Sequence, residues 1–164
     1  MLPHGQHKEE ALGIIHRLCD DIRSRPLDNA LELFLNEEYG AGTEAYETLA
    51  RLLKVGVEEG WVGYVEIEGP DYRRGRIADP SPETGNMSVD AGLLRDVKGQ
   101  YHCHTNGEIN MVMPLEADAA FCGRGAGWLV FPPKSEHFPT VSGKALIMFF
   151  LPGGEIEYFT PPGI

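Results

Sequence analysis

Several features that would tie a protein to nucleic acid, to a membrane or to an oxidising compartment are scarce in this chain. Lys and Arg number only 14 of 164 residues against 25 Asp and Glu, a formal net charge of −11. Such a balance repels a phosphate backbone, so nucleic acid is not an expected partner. The longest apolar run, Ala145 to Leu151, falls far short of the ~20 residues that cross a bilayer. Near the N-terminus stand His4, His7 and acidic residues instead of a basic and then apolar leader, which leads us to expect a cytoplasmic protein without a membrane partner. The three cysteines, Cys19, Cys103 and Cys122, are odd in number and scattered, so no disulfide framework is expected.

What is present changes texture once. From His7 to about Gly60 apolar residues recur at helical spacing, beginning with Ala11, Ile15, Leu18 and Ile22 and interrupted by Pro26. Leu27, Leu31, Phe34 and Leu35 mark a second helix that ends at Gly40 and Gly42. A third carries Tyr46, Leu49, Leu53 and Val57, with Thr43 as its cap and Gly60 as its stop. After Trp61 short alternating stretches separated by Gly, Pro and Asn predict eight strands: 62–68, 87–97, 100–105, 108–115, 119–122, 127–131, 145–151 and 155–159. Eight strands suit a jelly roll, and 75–86 reads as an ordered loop or a sheet edge. We therefore expect a helical segment over 1–60 and a barrel over 61–164.

The chemistry concentrates in His102-Cys103-His104-Thr105-Asn106-Gly107-Glu108 and in His137, which follows Pro132 and Pro133. Alternation along a strand puts His102 and His104 on one face and Cys103 on the other, where a buried thiol is expected. Gly107 supplies a turn that returns the Glu108 carboxylate from the next strand. Three imidazoles and one carboxylate suit one divalent transition metal ion, with Fe, Mn, Ni, Co and Zn all compatible. His4, His7 and His16 are read as solvated. Arg73, Arg74 and Arg76 form a basic island, either a solvated loop or an anion site, and Arg124 offers the same choice. Met111, Met113, Phe131, Phe149, Phe150 and Phe159 are read as barrel core.

The two motifs resemble those of the cupins, H-x-H-x(3,4)-E and P-x-G-x-x-H, over roughly residues 61 to 160. Lys134 stands where the family has Gly, and the Gly ahead of the first motif is displaced to Gly99. The resemblance implies a cupin-type jelly-roll barrel with metal ligands His102, His104, Glu108 and His137, and commonly a homodimer.

A narrower resemblance rests on Val57-Glu58-Glu59-Gly60-Trp61, Gly75-Arg76-Ile77-Ala78, Asn106-Gly107-Glu108-Ile109, Gly125-Ala126-Gly127-Trp128, Phe131-Pro132-Pro133 and Leu151-Pro152-Gly153-Gly154. Together these are similar to the bacterial 4-hydroxylaminobenzoate lyases, which release ammonia and form protocatechuate in nitroaromatic degradation. That likeness implies a small aromatic carboxylate substrate. Arg76 is the first expected partner for its carboxylate and Arg124 the second, with Glu108 and Glu136 as candidate proton-handling groups. Two other readings stand beside it: an Fe(II)-dependent cupin dioxygenase and a non-catalytic cupin that binds a small ligand.

Overall fold

A computed structural model describes residues 5–158; His4 and Phe159 lie outside them. Three helices come first: α1 Gln6–Ile22, α2 Asn29–Glu38 and α3 Glu44–Glu59. Their ends follow from local chemistry. Asp28 caps α2 by accepting the Leu31 N–H at 3.0 Å, so that helix starts after Leu27. Thr43 accepts the Tyr46 N–H at 3.2 Å, and Gly60, at φ +89°, closes α3 as expected. No described helix is long and apolar enough to cross a membrane.

Ten strands follow: β1 Val65–Glu66, β2 Tyr72–Ala78, β3 Met87–Lys98, β4 His102–His104, β5 Glu108–Pro114, β6 Ala120–Phe121, β7 Gly127–Phe131, β8 Ser135–His137, β9 Thr140–Pro152 and β10 Glu157–Tyr158. Two of these, β2 and β8, depart from the expected eight. Arg73, Arg74 and Arg76 disguise β2 as a loop, yet it pairs with β3 over nearly its whole length. The prolines before Lys134 hide β8. All pairings are antiparallel, in a large sheet ordered β1-β2-β3-β9-β5-β7, with β6 on β9, and a small sheet ordered β10-β4-β8. The two sheets line one cavity between them, as in a jelly roll, and the helical segment packs on the outer face of the large sheet.

Strand alternation divides the large sheet cleanly. Val89, Ala91, Ile109, Met111, Met113, Leu146, Met148, Phe150, Trp128 and Val130 turn outward into one hydrophobic cluster with Ile15, Leu18, Leu49 and Leu53 of the helices. Leu94, Val112, Ile147 and Phe149 turn inward and pack with Phe121 and Val141. Met111, Met113 and Phe150, expected in the barrel core, therefore belong to the helix–sheet layer, whereas Phe149 and Phe131 face the lumen side.

Helix α2 also closes an open sheet edge. Strand β7 pairs only with β5, and Asn36 Nδ2 donates to the Trp128 carbonyl at 3.0 Å while its Oδ1 accepts the Trp128 N–H at 2.8 Å. One turn earlier, Glu32 Oε1 accepts the Val130 N–H at 2.9 Å. Two side chains spaced i, i+4 thus serve as the missing neighbour strand.

Candidate metal centre

Strand β4 is only three residues long and presents His102 and His104 on one face, while β8 lies beside it with His102 opposite His137 and His104 opposite Ser135. The three Nε2 atoms converge. His102 and His104 are 2.9 Å apart, His102 and His137 3.1 Å, and His104 and His137 2.8 Å. Three nitrogen ligands about 2.1 Å from one ion and at right angles, as on one face of an octahedron, stand about 3.0 Å apart, so the triangle fits a metal. The protonation states fit as well. Burial and then mutual repulsion push His104 down to about 3, burial first and His102 second push His137 down to about 4, and burial lowers His102. All three imidazoles are neutral at pH 7 and offer lone pairs. His102 Nδ1–H donates to the Gln100 carbonyl at 3.0 Å, which leaves the Nε2 lone pair to face the triangle. His104 stacks on Phe131, ring centroids 5.7 Å apart.

The turn after β4 brings in the carboxylate. Gly107 adopts φ +87° and its N–H returns to the His104 carbonyl at 3.0 Å, which places Glu108 at the start of β5. Glu108 Oε1 then lies 3.4 Å from His104 Nε2. Burial, partly offset by the charge of Arg74, pushes the Glu108 carboxyl up to about 8; a cation in the triangle would favour its ionised form. Lys134, which replaces the usual Gly, takes φ +66° and donates its N–H to the His104 carbonyl at 2.8 Å. The second motif's turn is kept despite the substitution, at the cost of a left-handed Lys.

The remaining expected residues lie elsewhere. Glu136 is exposed, and alternation sets it on the face of β8 opposite His137. Arg76 is bound to Asp90 and, at 2.8 Å, to the exposed Asp79. Arg124 reaches Glu32 of α2 at 3.3 Å. Cys103 is half-buried, opposite Glu136 in the small sheet and less enclosed than expected. Two residues go beyond the expectations. Cys122 Sγ lies 3.6 Å from His137 Nδ1, a contact that spacing alone does not disclose. Arg74, a member of the basic island, lines a narrow cavity of about 20 Å³ between the sheets together with Tyr72, Gly92, His102, Glu108 and Phe149.

Comparison with known proteins identifies relatives of this chain. The sequence model of the family described as PnbB, 4-hydroxylaminobenzoate lyase, matches residues 13–158. The 4-hydroxylaminobenzoate lyase of Nocardioides sp. (strain LMS-CY) is 43% identical over 152 residues, covering 87% of this chain and 90% of the relative. That of Pseudomonas putida is 37% identical over 167 residues, covering 92% and 95%. Among solved structures, a Ralstonia eutropha JMP134 protein of unknown function with a cupin-like fold is 18% identical with a TM-score of 0.44, covering 57% of this chain and 61% of that one. An RmlC-like cupin from the same organism is 12% identical with a TM-score of 0.45, covering 61% and 66%. The present chain thus spans less than two thirds of either structure. With the family model and both relatives covering most of its length, the chain belongs to the 4-hydroxylaminobenzoate lyase family of enzymes.

Proposed function

We propose that the protein converts 4-hydroxylaminobenzoate, or a closely related aryl hydroxylamine, with water into protocatechuate and ammonia, using one divalent transition metal ion held by His102, His104, His137 and Glu108. The observation that carries this reading is the convergence of three neutral Nε2 atoms, with a buried carboxylate 3.4 Å from one of them. The overall change is redox-neutral: the N–O bond breaks, a hydroxyl appears on the neighbouring ring carbon, and water replaces nitrogen at the original one. No flavin or nicotinamide is required. When bound, the ion supplies Lewis acidity towards the N–O oxygen and lowers the pKa of a water.

The protein's own groups handle position and protons. The neutral imidazoles hold their donor atoms within 3.1 Å of one another, the close spacing that one shared ion needs. The Glu108 oxygen that does not face the histidine triangle carries the proton, accepting it from the attacking water and returning it to the departing nitrogen. Phe121 and Phe149 line the same cavity and exclude bulk water from the ring.

Elemental analysis of the purified protein, followed by anaerobic incubation with 4-hydroxylaminobenzoate and assay of ammonia and protocatechuate, tests this. Stoichiometric metal and anaerobic ammonia release are expected. A metal-free sample that turns over at the full rate would remove the metal from the mechanism, and turnover only with oxygen uptake would make the enzyme a dioxygenase.

A further inference from the structure

Resting on the metal centre just proposed, we infer that Cys122 is a positioning residue for His137: its sulfur accepts the Nδ1 proton of the ring and so keeps the Nε2 lone pair aimed at the other two histidines. The contact is Cys122 Sγ to His137 Nδ1 at 3.6 Å. It can run in two directions. If the thiol donated to Nδ1, the one proton of the neutral ring would sit on Nε2, which lies 2.8 Å from His104 Nε2 and 3.1 Å from His102 Nε2 and would then have no lone pair for an ion. If Nδ1–H donates to the sulfur, Nε2 is free to bind. The Gln100 carbonyl plays this part for His102, and an outer partner of this kind fixes both the tautomer and the orientation of a ligating imidazole. His104 Nδ1 is buried with no hydrogen-bond partner; its ring stacks on Phe131 instead.

The backbone is built to deliver that sulfur. Phe121 and Arg124 exchange both backbone hydrogen bonds at 2.8 Å around a two-residue turn. Its central residues, Cys122 and Gly123, take φ +48° and +84°, the mirror-image hairpin turn in which Asn-Gly is the favoured pair. The turn itself therefore does not call for a Cys, since left-handed residues other than Gly, Asn and Asp are uncommon. The same turn is tied to the segment that carries His137. The Cys122 N–H donates to the Thr140 carbonyl at 2.8 Å, and Phe121 stands opposite Val141 where β6 pairs with β9. Backbone and side chain of one residue thus grip the chain on both sides of Phe138 and Pro139. The Phe121 and Phe131 rings flank the imidazole, with centroids 6.4 Å and 4.3 Å from that of His137. Among the described residues, Nδ1 has no hydrogen-bond partner other than Cys122.

The test reads metal affinity and tautomer, not turnover. Co2+ is titrated into chelator-treated wild type, Cys122→Ala and Cys122→Asn and followed in the visible spectrum, beside thermal melts of the metal-free proteins that confirm folding. Alanine removes the acceptor, whereas asparagine carries its carbonyl oxygen one bond further than the thiol sulfur and suits the left-handed backbone. We expect Cys122→Ala to weaken Co2+ binding about tenfold, the lower end for loss of an outer partner because sulfur is a weak acceptor, and Cys122→Asn to restore it. Nitrogen-15 spectra of the metal-free protein should show the His137 proton on Nδ1 in the wild type and shared between both nitrogens in Cys122→Ala. Unchanged affinity in Cys122→Ala, equal losses in both folded variants, or a wild-type His137 protonated on Nε2 would overturn the assignment. So would a sulfur-to-cobalt charge-transfer band, which would make Cys122 a ligand. A wild type that binds no Co2+ would overturn the metal centre, and the nitrogen-15 spectra would still decide the Cys122 contact.

Discussion

Replacing Gly107 by Ala tests the turn on which the candidate site depends. The residue sits at φ +87°, where an L side chain costs about 1–2 kcal/mol. Its new Cβ would also lie 2.7 Å from the Phe131 carbonyl oxygen and 2.7 Å from Leu27 Cδ2. The leucine tip can rotate away, but the carbonyl belongs to a strand and must move with it. Together these place the destabilisation at about 3 kcal/mol, which for a domain of this size lowers Tm by about 6–12 °C. Gly60→Ala provides the comparison, since Gly60 has nearly the same φ, +89°, with nothing within 4 Å of a Cβ. It should lose only the backbone component, about 1–2 kcal/mol, and keep its kcat. Calorimetric melts of the two variants isolate the contact, and kcat at a temperature where both are folded isolates the displacement of Glu108. Equal Tm losses, or a folded Gly107→Ala with wild-type metal content and kcat, would refute the reasoning.

Three other outcomes follow from the geometry. His102→Ala or His137→Ala should lose bound metal and activity together while far-UV circular dichroism stays native, because neither ring belongs to the two hydrophobic clusters; an active variant without metal would contradict the ligand assignment. Asn36→Ala should cost about 2–3 kcal/mol in urea denaturation by stripping the Trp128 N–H and carbonyl of partners at the β7 edge, and an unchanged midpoint would mean the edge needs no cover. Tyr46, whose hydroxyl donates to the Val112 carbonyl at 2.5 Å, is pushed up to about 12 by burial. It is protonated in both folded and unfolded states below its ordinary pKa, so its stabilisation is full there and is lost as pH rises from about 10 through about 12. Tyr46→Phe should therefore flatten the alkaline end of the stability profile, and an identical profile would show that another group controls it.

How far the sequence could be read depended on whether a residue's role was local. Helix ends were legible because Thr43 and Gly60 act within one turn of themselves. The histidine pair was legible because a spacing of two means one face in any strand, and β4 needed only three residues to express it. Strand β2 was not. A run of Arg73, Arg74, Gly75 and Arg76 carries no alternating apolar signal, since its lumen-facing positions hold arginines whose charges are met by Asp90 on the neighbouring strand. That is a long-range pairing, and it also hid which arginine reaches the cavity. Cys122 beside His137 is the same case: fifteen residues apart, they meet only through the fold.

The methionines show why the helical layer matters to the site. Met111 and Met113 alternate with Asn110 and Val112 along β5, the strand whose first residue is Glu108. Read from the sequence, the methionines belong to the barrel core. The structure turns the methionines outward, where with Met148, Phe150 and Trp128 they form an apolar surface that would be a liability in water. Helices α1 and α3 cover it, and α2 closes its open edge through Glu32 and Asn36. The register of β5 is thereby set from outside the barrel: a slip by one residue would drive Met111 and Met113 into the lumen and carry Glu108 away from His104. The described residues of the helical segment place no side chain among the three histidines, yet their packing selects the face of β5 on which Glu108 appears.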